Sequence, residues 1–227
     1  MHEKNCQLFL DPMPSSALLK FENNLLVDVD RLIDSHGQLN HEGMGRRGLG
    51  HLTRSGVLML CAAWELYLEE LLIESARTIA NRANSPDDLP KQVQKEIAKA
   101  VRNSKHELKP LELAGEGWRE VYLNHALAKV QSLNTPKSTP VDNNYFHLIG
   151  IPDLSHNWSI GAAEIHSFVG ARGDIAHRGR DAQYVVIGGL VQYRDHISRT
   201  VIDTDNALAD FLRDNTTGRS PWRRRPV

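Results

Sequence analysis

The segment from about Thr53 to Asn81 limits most strongly how this chain can fold. Between Val57 and Ile73 it is apolar on most sides of a helix. A helix that is hydrophobic nearly all round is stable only when other parts of the protein enclose it. The sequence therefore predicts a long central helix that its neighbours bury. The longest unbroken apolar run, Val57 to Trp64, is too short to span a bilayer, so we expect no membrane segment.

Further helices are predicted around this one, which makes the expected fold class all-α. Apolar residues recur at helical spacing over residues 17–36. Four more helices are expected at about 85–106, 118–133, 159–177 and 185–213. No strand pattern is convincing apart from a short candidate at 184–187. We expect a helical bundle in a single domain, residues 1–214, and a basic, disordered tail at 215–227.

Residues 134–157 form the longest stretch without a helical pattern. They include three prolines and many Asn, Thr and Ser residues, which favours a long loop with at most one short helical turn. Long loops inside compact domains are uncommon and often functional. We expect this loop to precede the helix that carries the motif described below.

Composition narrows the classes of protein that fit. Of 227 residues, 41% are hydrophobic and 24% are charged, which is ordinary for a soluble globular protein. The two cysteines, Cys6 and Cys61, favour neither a disulfide scaffold nor a cysteine-based zinc site. The first residues lack a signal-peptide pattern, so we expect a cytoplasmic protein. With a net charge of −1, any binding of nucleic acid requires a local basic patch.

Arg172 and His177, at the two ends of the segment RGDIAH, have the clearest chemical implication. Arginine is always charged, and its planar fork suits phosphate oxygens. Histidine gives and takes protons near neutral pH. Together they could bind a phosphodiester and move a proton, which is the minimum for a metal-free ribonuclease. A structural interpretation also fits, in which Arg172 forms a surface ion pair and His177 lies favourably in the last turn of a helix.

The segment 43–48, GMGRRG, matches the dinucleotide-binding fingerprint G-x-G-x-x-G. That fingerprint requires a preceding strand and a parallel βαβ unit, whereas here a helix precedes it. A flexible hinge before the central helix is therefore the favoured interpretation. We still expect Arg46 and Arg47 to contact RNA phosphates.

The eleven histidines raise the question of a metal site. No two of them have the HxxxH or HExxH spacing that places two ligands on one side of a helix. We therefore expect neither a metal nor a cofactor.

Glu65 lies midway along the predicted central helix, where an unpaired carboxylate is unfavourable. It requires a basic partner. That partner could serve only to stabilise the fold, or it could be Arg172 or His177, whose side chain Glu65 would then orient. We expect Glu65 to lie within hydrogen-bond or ion-pair distance of a basic residue, one of these two in particular.

The C-terminal residues carry Trp222 beside three consecutive arginines. An aromatic ring within a basic segment could stack on an RNA base while the arginines contact the backbone. A solvated terminus without a binding role is the more ordinary outcome.

An all-helical chain with an Arg-x-x-x-x-His motif near its fifth helix resembles the HEPN superfamily, most closely its RiboL-PSP-HEPN subgroup. The resemblance also rests on AAWELYLEE at 62–70, LNTP at 133–136 and LIGIP at 148–152. It extends over about residues 18–213. One position departs from the family pattern, because the residue after the arginine is often polar and here is Gly173.

The resemblance implies a metal-independent endoribonuclease of the kind that acts in toxin–antitoxin, anti-phage or RNA-processing systems. It implies a homodimer whose two motifs face each other across one cleft. Arg172 would stabilise the phosphate and His177 would transfer protons. An antitoxin or another regulatory protein is a further expected partner.

The remaining site residues follow from the same resemblance and from their charge. Asp174 and Glu65 would support the motif, and Arg178 and Arg180 would bind RNA. Two alternatives from other classes stay open: a catalytically inactive HEPN-like module that binds nucleotide, RNA or a protein, and a plain helical interaction protein.

Overall fold

The computed structural model of the chain describes residues 13–40, 48–131, 136–182 and 185–226. The structure is 76% helical, and no strand occurs within those ranges. The predicted all-α fold class is confirmed. None of the described helices is both long enough and apolar enough to cross a membrane.

The described ranges contain the following helices in chain order. They are α1 (Ser16–Lys20), α2 (Val27–Leu39), α3 (Gly50–Arg82), α4 (Lys91–Arg102), α5 (Gly117–Val130), the single turn α6 (Ser138–Pro140), α7 (Ala162–Arg178) and α8 (Ile187–Asp214). A π-helical turn, Phe21–Leu25, joins α1 to α2. The third predicted helix is shorter than expected, because Pro86–Asp88 forms a separate 3-10 turn before α4 begins.

Helix α3 is the centre of the bundle, as predicted, and packs against α1, α2, α5, α7 and α8. Its two largest buried side chains bond to neighbouring backbone: Trp64 Nε1 donates to the carbonyl of Pro136 at 3.0 Å, and Tyr67 Oη donates to that of Val201 at 2.9 Å. Gly56 allows α8 to approach closely, because a Cβ there would lie 2.4 Å from Leu190 Cδ2. The apolar pattern of α3 therefore serves to anchor most of the other helices.

The stretch predicted as a loop is packed into the core instead of lying on the surface. From 138 to 157 it is a series of short helical turns. Its apolar side chains are buried: Val141, Tyr145, Phe146, Leu148, Ile149, Ile151 and Leu154. Asp142 fixes two of the turns by accepting hydrogen bonds from the amide and the hydroxyl of Ser155, at 2.8 and 2.5 Å. The expectation of a mostly irregular loop is therefore wrong, because turns this short leave no helical periodicity in the sequence.

The prediction of a disordered tail is wrong for residues 216–226, which pack along α8. Trp222 is only 4% exposed, and its Nε1 donates to the carbonyl of Asp205 at 3.2 Å. Asn206 both donates to and accepts from the backbone of Arg225, at 2.9 and 2.8 Å. Arg225 also pairs with Glu22 at 3.0 Å. Because its ring is buried, Trp222 does not present a surface on which an RNA base could stack.

Two expectations fall partly or wholly outside the described residues. The short strand candidate at 184–187 begins with residue 184, which is not described, and Val185, Val186 and Ile187 are not in a strand. The segment 43–47, with Arg46 and Arg47, also lies outside the described ranges.

Candidate functional site

Helix α7 carries Arg172 and His177 near its C-terminal end. Gly179 ends the helix with a φ of 53°, a conformation that favours glycine, and its amide donates to the carbonyl of Ile175. His177 and Arg178 therefore occupy the last turn, where the helix dipole favours positive charge. The sequence predicted the end of this helix correctly, to within one residue.

The two motif side chains leave α7 in different directions. Arg172 lies seven residues after Ile165 and four residues after Phe168, and both of these are buried. It therefore shares their side of the helix, and it is half-buried. His177 follows Gly170 and Gly173 with the same spacing and is exposed. Residues five apart are separated by about 140° around a helix axis. A single protomer therefore directs Arg172 towards the core and His177 towards solvent.

The positive charge of Arg172 influences two groups on α3, because it opposes the rise that burial causes in the pKa of the Glu65 carboxyl and in that of the Cys61 thiol. Burial raises the pKa of Glu65, while Arg172 opposes this shift and Glu69 adds to it. Burial also raises the pKa of the Cys61 thiol to about 12, helped by Glu65 and opposed by Arg172. The thiol is therefore protonated at neutral pH and unsuited to nucleophilic attack.

The expected direct pairing of Glu65 is not found. Within the described ranges Glu65 forms no ion pair shorter than 4.0 Å, and the hydrogen-bond contact that it does make is with the Cys61 thiol, whose Sγ lies 4.0 Å from Oε1. Glu65 is half-buried, so water can solvate part of its carboxylate. The prediction of an ion pair with Arg172 or His177 is therefore wrong, although Arg172 does act on Glu65 through its charge.

The structure adds a histidine that the sequence analysis missed. His166 lies on the exposed side of α7, eleven residues before His177, which is about three helical turns and brings both to the same side of the helix. Its Nε2 is 2.8 Å from the hydroxyl of Ser138, which is itself buried. The i, i+11 spacing was visible in the sequence, but the serine that holds the ring comes from a segment predicted as loop.

The other predicted site residues are distributed as follows. Arg178 and Arg180 are exposed and lie beside His177, at the end of α7 and in the turn Gly179–Asp181. Asp174 is half-buried on α7. Within the part of the chain that the structure describes, no group of three or more His, Cys, Asp or Glu side chains is arranged to hold a metal ion. The surface at this helix end thus combines one imidazole with two guanidinium groups, which can exchange a proton and bind an anion.

Gly173 has open space around it, and this leads to a prediction about stability. A Cβ built at Gly173 meets no atom within 4 Å. Alanine is favoured over glycine within a helix by about 1 kcal/mol. Gly173→Ala should therefore raise the free energy of unfolding by about that amount, measured by urea denaturation of dilute protein.

Gly56→Ala is the matched control for that prediction. Its new Cβ would meet Leu190, so it should destabilise the protein by about 1–3 kcal/mol. If Gly173→Ala were as destabilising as Gly56→Ala, the outer side of α7 would not be open in the isolated chain.

The fold and this surface define an all-helical protein with a basic, histidine-bearing helix end. The family model described as RiboL-PSP-HEPN matches residues 19–210, which is most of the chain. The chain belongs to the RiboL-PSP-HEPN family. No curated protein matches it significantly, and neither does any solved structure.

Proposed function

We propose that the chain is a metal-independent endoribonuclease in which Arg172 stabilises the phosphate and His177 transfers protons. One observation carries the proposal: in a member of a HEPN family, an exposed histidine and a half-buried arginine occupy the end of one helix. Glu65 supports Arg172 through its charge, and Asp174 lies between the two motif residues. We propose that this activity serves a toxin–antitoxin or an anti-phage defence system.

The reaction uses the RNA itself as the nucleophile. The 2′-oxygen attacks the adjacent phosphorus, the bond from phosphorus to the next 5′-oxygen breaks, and a 2′,3′-cyclic phosphate and a 5′-hydroxyl result. One proton leaves the 2′-hydroxyl and one reaches the departing 5′-oxygen. His177 carries one of these transfers, a role suited to a group that titrates near neutral pH. Arg172 offsets the negative charge that builds up on the phosphate oxygens.

A second copy of the chain would complete the site. Because Arg172 and His177 point in different directions, one protomer does not form a compact pair of them. The midpoint between Gly170 and Gly173 is also the midpoint between His166 and His177. An antiparallel, two-fold pairing of α7 about this point would place the backbone at these two glycines directly against the same region of the partner helix. It would also bring His177 towards the partner subunit's His166.

The neighbouring cations would bind the RNA backbone. Arg178 and Arg180 lie beside His177 and are exposed, and we propose Arg46 and Arg47 as further phosphate contacts. Contacts of this kind hold the RNA without reading its sequence. Removing one of these arginines should therefore weaken binding of different RNAs to a similar degree and reduce its dependence on salt.

The second candidate function, a catalytically inactive module that binds RNA or nucleotide, is favoured by one observation. Gly173 replaces a residue that is often polar in the family, so a contact to the reacting groups would be missing. Such a module would keep the basic surface at the end of α7. It would bind RNA without cutting it.

Incubation of end-labelled RNA with the purified chain in excess EDTA tests the proposal. We expect cleavage to persist, the upstream product to carry a 2′,3′-cyclic phosphate, and a single 2′-deoxy substitution to block cleavage at that site. Cleavage that requires added magnesium, or cleavage of DNA at a similar rate, would show that the motif is not the catalytic centre. Binding without any cleavage would favour the inactive module.

A further inference from the structure

A groove lies between α3 and α5, on a side of the bundle that the proposed function does not use. Two hollows form it, of about 570 and 510 Å³, and they share Ile73 and Arg77. Its apolar floor consists of Ile73 from α3 and Leu123, Leu127 and Val130 from α5. These α5 residues follow the i, i+4, i+7 spacing of one helix side.

Large apolar side chains in and beside the groove are exposed to solvent. Leu127 is 45% exposed, and Leu66, two turns before Ile73 on the same side of α3, is 42% exposed. The residues of α3 that line the groove run from Glu69 to Asn81, which is about 18 Å or more than three helical turns. Apolar surface of this shape and length is typical of a site that binds the apolar side of a partner helix.

Carboxylates dominate the rim of the groove. Five glutamates line it, against two arginines: Glu69, Glu70, Glu74, Glu116 and Glu120, with Arg77 and Arg119. Arg119 is already engaged, because it pairs with Glu116 and donates to the carbonyls of Ala80 and Ala83 at 2.6 and 2.9 Å. Lys20 pairs with Glu70.

Three of the rim carboxylates lack a cation among the described residues, and one of them, Glu74, accepts hydrogen bonds from the backbone amides of Ser16 and Ala17 at 2.9 and 3.0 Å instead. Within the described ranges, neither Glu69 nor Glu120 forms an ion pair shorter than 4.0 Å, and burial together with the charge of Glu70 raises the pKa of Glu69. Two carboxylates at the edges of an apolar floor are complementary to lysine or arginine side chains that flank an apolar stripe. This charge pattern distinguishes the groove from the basic end of α7.

We propose that the groove between α3 and α5 binds a basic amphipathic helix of a protein partner. The partner's apolar residues lie on Leu127 and Ile73, and its flanking cations pair with Glu69 and Glu120. The observations favour a protein over RNA here, because the rim is acidic and would repel a phosphate backbone.

The probe for this proposal is a fluorescein-labelled 15-residue helical peptide with leucines at i, i+3, i+4 and i+7 and lysines elsewhere. Fluorescence anisotropy with the full chain should give saturable binding. Leu127→Ser should weaken binding by roughly tenfold, as expected when an apolar contact within an interface is lost. Glu69→Gln and Glu120→Gln should weaken it less and reduce its dependence on salt.

Matched controls come from outside the groove. Leu108 is 60% exposed and follows the exposed Glu107, so Leu108→Ser and Glu107→Gln change the same residue types and should leave binding unaltered. A peptide with glutamate in place of lysine should not bind. Thermal unfolding of each variant checks that the fold is intact, and the two glutamine variants test the groove even if a serine variant unfolds.

Two outcomes would overturn the proposal. One is equal loss of affinity in the groove and control variants, or no saturable binding, which would mean that the groove does not recognise a basic helix. The other is a change from dimer to monomer in Leu127→Ser by sedimentation, which would show that a second copy of the chain covers the groove.

Discussion

Replacing His177 with alanine should lower the rate of RNA cleavage by about 10²–10⁴-fold, the range expected when general acid–base catalysis is lost. His177 is exposed at the end of α7, so the change should leave the fold intact and RNA binding nearly unaltered. The rate is measured under single-turnover conditions with enzyme in excess. Binding is measured separately with RNA that carries a 2′-deoxy substitution at the cut site.

His106 provides the matched control, because it is also exposed but lies far from α7 in the sequence, after α4. His106→Ala should cleave at the rate of the unaltered protein. If His177→Ala retained full activity, another group would be transferring the proton, and His166, held by Ser138, would be the first to test. Loss of activity in both His177→Ala and His106→Ala would indicate a general loss of structure.

Asp205→Asn should stabilise the protein at alkaline pH by an amount on the order of 2–4 kcal/mol. Burial raises the pKa of the Asp205 carboxyl to about 7, although the Ser15 hydroxyl, which donates to Oδ1, lowers it. Oδ2 has no hydrogen-bond partner among the described residues. A shift from 3.8 to about 7 corresponds to roughly 4 kcal/mol at most, at 1.36 kcal/mol for each unit.

The pH dependence of this effect has a definite sign. Because the pKa of Asp205 is higher in the folded chain than in the unfolded chain, the folded state favours the protonated carboxyl. The stability that this provides is complete below about pH 4 and is lost as the pH rises through about 7. Asparagine stays neutral, so the advantage of Asp205→Asn should be small near pH 4 and largest above pH 8.

Urea unfolding at several pH values measures this difference directly. Asp181→Asn, a change at an exposed aspartate in the turn after α7, should show no comparable dependence on pH. Parallel stability curves for the unaltered protein and Asp205→Asn across pH 4–9 would mean that Asp205 is already solvated or paired.

The helical pattern was the most predictable part of this protein. Residues that bury one side of a helix recur every three or four positions, so α2, α3, α5, α7 and α8 were visible in the sequence. The turns between 138 and 157 were not, because each is shorter than the window over which a period can be recognised. Their burial depends on side chains such as Trp64, which reaches the carbonyl of Pro136.

The candidate site was also predictable only in part. The sequence located Arg172 and His177 on one helix and His177 in its last turn, because the glycine that ends α7 follows directly. It did not show that Glu65 would remain half-solvated or that Ser138 would hold His166. Both facts depend on distances between segments that are far apart in the chain.

The sequence by itself determined the all-α fold class, the central position of α3 and membership of the HEPN superfamily, because the first two follow from local periodicity and the third from a resemblance that extends over most of the chain. Only the tertiary structure decided that the tail packs along α8 and that α3 and α5 leave an acidic, apolar groove between them. The tail is held by Trp222 and by polar groups of α8, and the groove arises where two helix sides meet. The physical reason is that a hydrophobic pattern specifies which side of a helix is buried but not which neighbour buries it.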